Sequence, residues 1–175
     1  MLGIKFVQSA FNNELDTKKI LKRGETSIVC EDKANKNKVI VYTSDAIKLK
    51  WFQQDANHEF KFKLLGDGFV GSSYDEVRRK IYKFSLVKMY NLEAHDKVFI
   101  NNKLIKPFNQ LKGFEPKMKF MILSERLDNE YYKQLCKHLS QFCAKNRVVV
   151  DFKASSFMKM DCGRIVCVDP LYASR

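Results

Sequence analysis

Apolar and polar positions repeat along the chain with periods that predict both strands and helices. Two β-branched runs between Thr26 and Tyr42, SIVCE and KVIVYT, flank the polar stretch DKANKN and predict a β-hairpin. A further strand is predicted at about 80–89, where the chain is rich in β-branched and aromatic residues. Apolar residues three or four positions apart predict a helix over 4–20 and a short helix after Asp45. These elements together predict an α+β fold.

The strongest helical pattern lies at 128–144. Asp128 is expected to cap its first turn, because an aspartate side chain can accept hydrogen bonds from the free N–H groups there. One face of this helix is apolar and consists of Tyr132, Leu135, Cys136, Leu139, Phe142 and Cys143. We therefore expect this helix to pack in the centre of the fold, and we expect Trp51 to point inward from the short helix.

Two short strands near the C-terminus each end in an aspartate. Asp151 follows VVV and Asp169 follows RIVCV, with a turn at the two serines and another at 161–163 between them. Phosphoryl transfer requires one carboxylate to orient an acceptor hydroxyl and others to hold magnesium. The pattern favours a shared anionic site over the alternative, which is that the two aspartates are unrelated turn and cap residues.

The segment 94–119 combines lysine, asparagine and phenylalanine. Pro107, Gly113 and Pro116 are expected to prevent a long uninterrupted helix. Aromatic rings between lysines can bind nucleic acid, since bases stack on rings and ammonium groups meet phosphates. The alternative is an amphipathic surface segment whose phenylalanines are buried. Its lysines are candidates for binding a partner: Lys97, Lys103, Lys106, Lys112, Lys117 and Lys119.

The formal net charge of +12 suits a nucleic acid, an acidic protein face or an anionic membrane, and lysines spread over a solvated surface would give the same charge. The five cysteines are odd in number and lack the C-x-x-C spacing of a zinc site. We expect them to be reduced and buried. No apolar run approaches the roughly 20 residues needed to span a bilayer. We expect a cytoplasmic protein without a membrane partner.

Gly66, Gly68 and Gly71 in LGDGFVGSS have the spacing of a phosphate-binding loop, but that motif needs a preceding strand and a following helix. Ser73 and Glu76 have the spacing of a capping box. Both patterns are weak taken alone. The structure of residues 72–79 is left open.

The sequence VVVDFKASSFMKMDCGRIVCVDPLY resembles the catalytic loop and metal-binding loop of protein kinases. In that family an aspartate is followed two residues later by lysine, five residues later by asparagine and, after a β-hairpin, by the aspartate of D-F-G. Asp151 matches the first aspartate, Lys153 the lysine, Ser156 the asparagine position and Asp169 the last aspartate.

The closer resemblance is to the early-gene serine/threonine kinases of podophages and their uncharacterised relatives. Their loop resembles D-x-x-x-x-N-x-M, and their metal motif is D-P rather than D-F-G. Met158 and the pair Asp169–Pro170 fit this variant. The resemblance implies a minimal protein-kinase-like fold in a single domain, residues 1–175. It would have a small N-terminal β-sheet lobe at about 20–90 and a truncated helical C-terminal lobe at 91–175.

The resemblance also implies roles for residues of this sequence. Asp151 would orient the acceptor and Lys153 would steady the transferred phosphate, while Asp169 and Ser156 would hold magnesium. Gly24 and Asp169 would contact ATP. Where the family has a lysine on its third strand this chain has Val41, so Lys38 or Lys48 would have to bind the phosphates instead.

Three functions follow from these features. The first is a phage-encoded pseudokinase that binds a host protein with an acidic surface through the basic segment and inhibits or redirects it. The second is an active minimal serine/threonine kinase that uses ATP and magnesium to modify host proteins. The third is a basic nucleic-acid-binding protein. The first needs no cofactor. The first function is favoured by the small size, the high charge and the altered catalytic groups. Because five residues follow Pro170, we also expect the activation segment of a kinase to be absent.

Overall fold

The computed structural model describes residues 2–12, 15–53, 69–75 and 77–173. They form a mixed α+β fold that divides into two compact units, with a boundary between Lys88 and Met89. No helix within the described ranges is long and apolar enough to cross a membrane. Gly66, Gly68 and Glu76 lie outside the described residues. Of the glycine pattern and the capping box, only Gly71 and Ser73 belong to the part of the chain that the structure describes.

The first unit is built on a five-stranded antiparallel sheet. Its strand order is β1-β2-β3-β5-β4. The strands are β1 (Ile20–Arg23), β2 (Ser27–Glu31), β3 (Lys38–Thr43), β4 (Phe69–Tyr74) and β5 (Lys80–Val87). The hairpin β2–β3 and the strand β5 confirm two predictions from the residue pattern. Gly71 and Ser73 lie within β4, so this part of 72–79 is a strand and not a turn of helix.

One face of this sheet is covered by the N-terminal segment. Helix α1 (Ile4–Ala10) contributes Val7, which packs with Ile28 and Tyr42 of the sheet in a buried apolar cluster. The predicted helix 4–20 is wrong beyond Ala10. Asn12 has a positive φ of 49°, a conformation that no residue of a right-handed helix adopts, and the chain there turns away from the helix axis.

Helix α2 (Ala46–Gln53) follows β3, as the sequence predicted. The carboxylate of Asp45 accepts hydrogen bonds from the backbone N–H groups of Ile47 (2.8 Å) and Lys48 (3.3 Å), which caps the first turn. Trp51 is 2% exposed, which confirms that it points inward.

The second unit begins with a helical path that the sequence did not predict. Helix α3 (Ala94–Ile100) continues through a π-helix (Asn101–Ile105) into α4 (Lys106–Gln110). Pro107 was expected to interrupt this path. It is accommodated because it stands in the first turn of α4, where its missing N–H costs no helical bond, after five residues of wider π-turn.

Helices α5 (Pro116–Arg126) and α6 (Glu130–Lys145) pack together in the second unit. Leu135 and Leu139 of α6 are fully buried, which confirms the central position of this helix. The predicted cap was one residue too early. Asn129, and not Asp128, accepts the backbone N–H of Tyr132 with its side chain (3.2 Å).

Short strands complete the second unit. A three-stranded antiparallel sheet has the order β6-β8-β9, and a two-stranded ribbon pairs β7 with β10. The strands are β6 (Tyr90–Asn91), β7 (Val148–Val150), β8 (Phe157–Lys159), β9 (Ile165–Cys167) and β10 (Leu171–Ala173). The turn between β8 and β9 contains Gly163 with φ 80°, a conformation that favours glycine.

Candidate functional site

The ribbon of β7 and β10 brings the two predicted aspartates to the same end. Val150 pairs with Leu171, and the next backbone bond runs from the N–H of Asp151 to the carbonyl of Pro170 (2.9 Å). Because the strands are antiparallel, the end of β7 lies beside the start of β10. Asp151 and Asp169 therefore emerge from adjacent loops. The strand that pairs with β7 is β10, which the residue pattern did not predict, and the predicted strand RIVCV (β9) pairs with β8 instead.

Ser156 joins these two loops. Its carbonyl accepts the backbone N–H groups of Val168 (2.8 Å) and Asp169 (3.3 Å), and its hydroxyl donates to the carbonyl of Asp151 (2.8 Å). The side chain is 1% exposed and lies in a short 3-10 helix, Ala154–Ser156. The Ser156 hydroxyl is thus directed at the backbone of the Asp151 loop and is shielded from solvent, which does not suit the predicted role of a metal ligand.

Phe152 anchors the first loop in the apolar core. Its ring centroid lies 5.1 Å from those of Phe108 and Phe120 and 5.5 Å from that of Phe157, and the residue is 6% exposed. These contacts fix the backbone on both sides of Phe152. Asp151 and Lys153 are consequently held at the surface by a buried side chain between them.

Lys153 links the two carboxylates electrostatically. Its ammonium forms an ion pair with Asp151, with both side chains partly exposed. The hydrogen bond that its ammonium donates to Asp151 raises the pKa of Lys153, desolvation opposes this shift, and the negative charges of Asp151 and Asp169 support it. The structure therefore brings three predicted site residues, Asp151, Lys153 and Asp169, into one charged group on the surface of the second unit.

Chemically, this group contains two carboxylates and one ammonium at the protein surface. Carboxylate oxygens are the ligands that Mg²⁺ prefers, and an ammonium can meet phosphate oxygens. With the Ser156 hydroxyl directed elsewhere, Asp169 is the residue of the predicted metal pair whose side chain is exposed. The arrangement can hold a metal–phosphate group and orient a hydroxyl.

A second acidic group in the same unit is less suited to a metal. Glu93, His95 and Asp96 are the residues of the described chain that gather three potential ligand atoms within 4.8 Å. The ammonium of Lys159 lies 3.0 Å from Asp96 and 3.5 Å from Glu93. Its hydrogen bond lowers the pKa of Asp96, so an internal cation already neutralises these carboxylates.

The structure does not bring Gly24 and Lys38 together. Gly24 lies in the β1–β2 turn, where its N–H donates to the carbonyl of Ser27, and Ser27 pairs with Thr43 at that end of the sheet. Lys38 begins β3 at the opposite end, five residues from Thr43 and so roughly 17 Å along the strand. Both belong to the first unit, whereas Asp169 belongs to the second.

Lys48, unlike Lys38, lies at the same end of the sheet as the Gly24 turn. Its ammonium donates to the hydroxyl of Ser27 (3.1 Å), which in turn donates to the hydroxyl of Thr43 (2.9 Å). Val41, which stands where the resemblance to kinases would place a lysine, is 4% exposed and apolar. Of the two substitutes that the sequence left open, Lys48 therefore lies near the Gly24 turn.

The six candidate partner-binding lysines differ in their surroundings. Lys119 is half-buried with its ammonium 5.2 Å from the ring centre of Phe108, and Lys117 pairs with Glu115 (3.1 Å). The remaining four are exposed and show no ion pair with a carboxylate of the described residues: Lys97, Lys103, Lys106 and Lys112. We call these four the exposed lysine set. The predicted burial of the phenylalanines is only partly correct, because Phe99 is 40% and Phe114 49% exposed.

Two exposed apolar residues beside the aspartates were missed by the sequence interpretation. Val149 and Tyr172 face each other across the β7–β10 ribbon. Three consecutive valines show no alternation of polar and apolar residues. The sequence therefore gave no sign that the middle valine is exposed.

The chain has no match among protein-family models, curated proteins or solved structures. The resemblance to kinases stays a prediction from the order of residues 148–170.

Proposed function

We propose that this chain has a protein-kinase-like fold, similar to that of podophage early-gene kinases, and that its paired aspartate loops bind a magnesium–nucleotide and transfer phosphate. Kinases place a glycine-rich turn near the start of the sheet, a lysine on the third strand, a helix that partners this lysine, and then the two aspartate loops. The Gly24 turn, β3, α2 and the loops at Asp151 and Asp169 follow one another in this order.

The observation that carries the proposal is the position of Lys153, whose ammonium forms an ion pair with Asp151 beside the loop that bears Asp169. Asp151 would accept the proton of an acceptor hydroxyl. The hydroxyl oxygen would form a bond to the terminal phosphorus of ATP, and the bond between this phosphorus and the oxygen of ADP would break. Lys153 would meet the negative charge of the transferred phosphoryl group. Asp169 would hold magnesium, which neutralises phosphate charge when bound.

Because Ser156 stands where kinases have an asparagine ligand, we expect metal affinity to be lower than in a kinase with asparagine there. The proposal is accordingly a slow kinase. Lys48 of the first unit, whose ammonium lies 3.1 Å from the Ser27 hydroxyl, is the candidate for the phosphate lysine that the resemblance implies.

Calorimetric titration with ATP and magnesium tests this proposal. We expect saturable binding to the parent protein, loss of binding in Asp169→Ala and loss of binding when EDTA removes the metal. Asp128→Ala, which removes an exposed carboxylate at the start of α6, is the matched control and should bind like the parent. Absence of binding at millimolar ATP, or equal binding by Asp169→Ala, would contradict the proposal.

The exposed lysine set supports a second candidate, a kinase-like scaffold that binds an acidic protein without catalysis. Four exposed ammonium groups without carboxylate partners in the described chain are available to a partner, and complementary charge mainly raises the association rate. Lys97, Lys103, Lys106 and Lys112 should be changed together to glutamate and compared with reversal of the exposed Lys137 and Lys145 on α6. A poly-glutamate peptide serves as probe. Equal binding by both variants would exclude the exposed lysine set as the binding site.

The segment 94–119, which carries these lysines, also bears the exposed rings of Phe99 and Phe114, and this favours single-stranded nucleic acid as the anionic partner in this second candidate. Anisotropy with an oligo-dT strand distinguishes the two, because stacking on a ring is worth about 1–3 kcal/mol per base. Phe99→Ala with Phe114→Ala should weaken binding to the DNA and leave binding to poly-glutamate unchanged. Unchanged DNA binding would leave only the charge of the segment as the attraction.

A further inference from the structure

The solvent face of the β7–β10 ribbon carries an ordered row of side chains next to the aspartates. Val149 and Tyr172 lie directly opposite each other and are 37% and 45% exposed. Arg147 directly precedes β7 and Asp151 directly follows it. Arg147 is exposed and the side chain of Asp151 is 43% exposed. Along the chain these residues form a row from positive, through the exposed apolar pair, to negative.

This row is continuous with the site described above. The ammonium of Lys153 contacts Asp151, which directly follows β7, and Tyr172 lies on the strand that pairs with β7. The apolar pair is thus bordered by the acceptor-orienting carboxylate on one side and by Arg147 on the other. An exposed aromatic and β-branched pair in this position contributes little to the core, because nearly half of the tyrosine surface remains in water.

We propose that this face docks the acceptor of phosphoryl transfer as an extended segment that carries an acidic residue, a bulky apolar residue and a serine or threonine at alternate positions. The proposal rests on the proposed function, since the hydroxyl would lie at Asp151. The apolar side chain would cover Val149 and Tyr172, and the acidic side chain would meet Arg147. Alternate residues of an extended chain are about 6.5–7 Å apart, which matches the spacing of the row.

The partner class follows from charge and shape. A cation at Arg147 rejects a basic residue there, and two adjacent apolar side chains reward an aromatic or branched one. Each strand of the ribbon is only three residues long, so backbone pairing along its edge would be short. Side-chain selection is therefore the main source of preference, and either chain direction satisfies the row.

The test uses two fluorescent peptides, one with the order Glu-Ala-Phe-Ala-Ser and one with the reverse order, each beside a version with Phe replaced by Ala. Binding by anisotropy is compared for the parent, the double variant Val149→Ser with Tyr172→Ser, and Tyr172→Phe, which retains the ring. Val98→Ser removes a 59% exposed valine from α3 and is the matched control. Circular dichroism checks that every variant is folded.

We expect one peptide order to bind the parent, with binding at least about fivefold weaker in the double variant and for the Phe-to-Ala peptide. Tyr172→Phe and Val98→Ser should bind like the parent. Equal binding by the double variant, or indifference to the phenylalanine, overturns the inference. If the double variant instead dissociates a dimer in sedimentation and leaves peptide binding unchanged, a second copy of the chain covers this face and the inference is wrong.

A transfer assay with ATP separates this inference from the function on which it rests. The double variant should raise the KM for the peptide about fivefold or more with kcat unchanged, whereas Asp151→Asn should lower kcat. Transfer with an unchanged KM in the double variant refutes the docking face and retains the kinase. Selective peptide binding without any transfer retains the docking face and refutes the kinase.

Discussion

Replacing Ser156 with alanine should loosen both aspartate loops at once. The hydroxyl of this 1% exposed side chain donates to the carbonyl of Asp151 at 2.8 Å, and alanine cannot replace that bond. A buried hydrogen bond of this kind contributes about 0.5–1.5 kcal/mol, and an acceptor left unsatisfied can raise the cost to about 3 kcal/mol. We expect Ser156→Ala to lower the free energy of unfolding by about 1–3 kcal/mol.

Thermal and urea unfolding measure this effect. For a chain of this length each kcal/mol shifts the midpoint by roughly 2–4 °C, which gives a decrease of about 2–12 °C. Ser155→Ala is the matched control, because Ser155 is the exposed neighbour in the same 3-10 helix. A substitution on the surface away from such contacts costs about 0.5 kcal/mol or less. If the two variants unfold alike, the Ser156 hydroxyl does not hold the loops together.

Three further changes test other parts of the structure. Asn129→Ala should destabilise the protein by about 1 kcal/mol in urea unfolding because it removes the cap of α6, while Asp128→Ala should leave stability nearly unchanged. At pH 8 a thiol reagent should modify Cys162 first, because it is exposed and burial raises the pKa of the other four thiols; rapid labelling that persists in Cys162→Ser would contradict this. The Lys159 hydrogen bond lowers the pKa of Asp96 below the ordinary 3.8, so stability from this carboxylate is present above that value and is lost as the pH falls through the folded-state pKa. Acid titration of unfolding should therefore be shallower below about pH 4 in Asp96→Asn than in the parent, and parallel curves would refute the assignment.

Local chemistry predicted the elements whose signals agree with one another. The hairpin β2–β3 combines β-branched runs with a turn of aspartate, asparagine and lysine, and α6 has a continuous apolar face, so both elements were found although the cap of α6 was placed one residue too early. The helical path 94–110 was missed because proline, which lacks a backbone N–H, normally interrupts a helix, and Pro107 was taken to do so. The five-residue π-helix before it lets Pro107 stand in a first turn, and single-sequence periodicity of 3.6 does not detect that change of register.

The sequence predicted that Asp151 and Asp169 each follow a short apolar strand. Their proximity depends on the pairing of β7 with β10, a strand that the sequence did not predict. The role of Ser156 could not be predicted either, because its burial depends on the loop that returns from β9. Lys38 and Lys48 are both lysines near the third strand, and only the sheet register shows that Lys38 lies at the far end from Gly24.

The bonds of Ser156 have a dynamic consequence. Its carbonyl accepts hydrogen bonds from the N–H groups of Val168 and Asp169, and its hydroxyl donates to the carbonyl of Asp151. Movement of either loop would therefore break bonds that hold the other. Segments joined in this way tend to open as one cooperative unit in hydrogen exchange. The amide protons of Asp151, Val168 and Asp169 should then exchange at a common rate. Both carboxylates would be in place or displaced together, which gives this surface two states instead of a continuum.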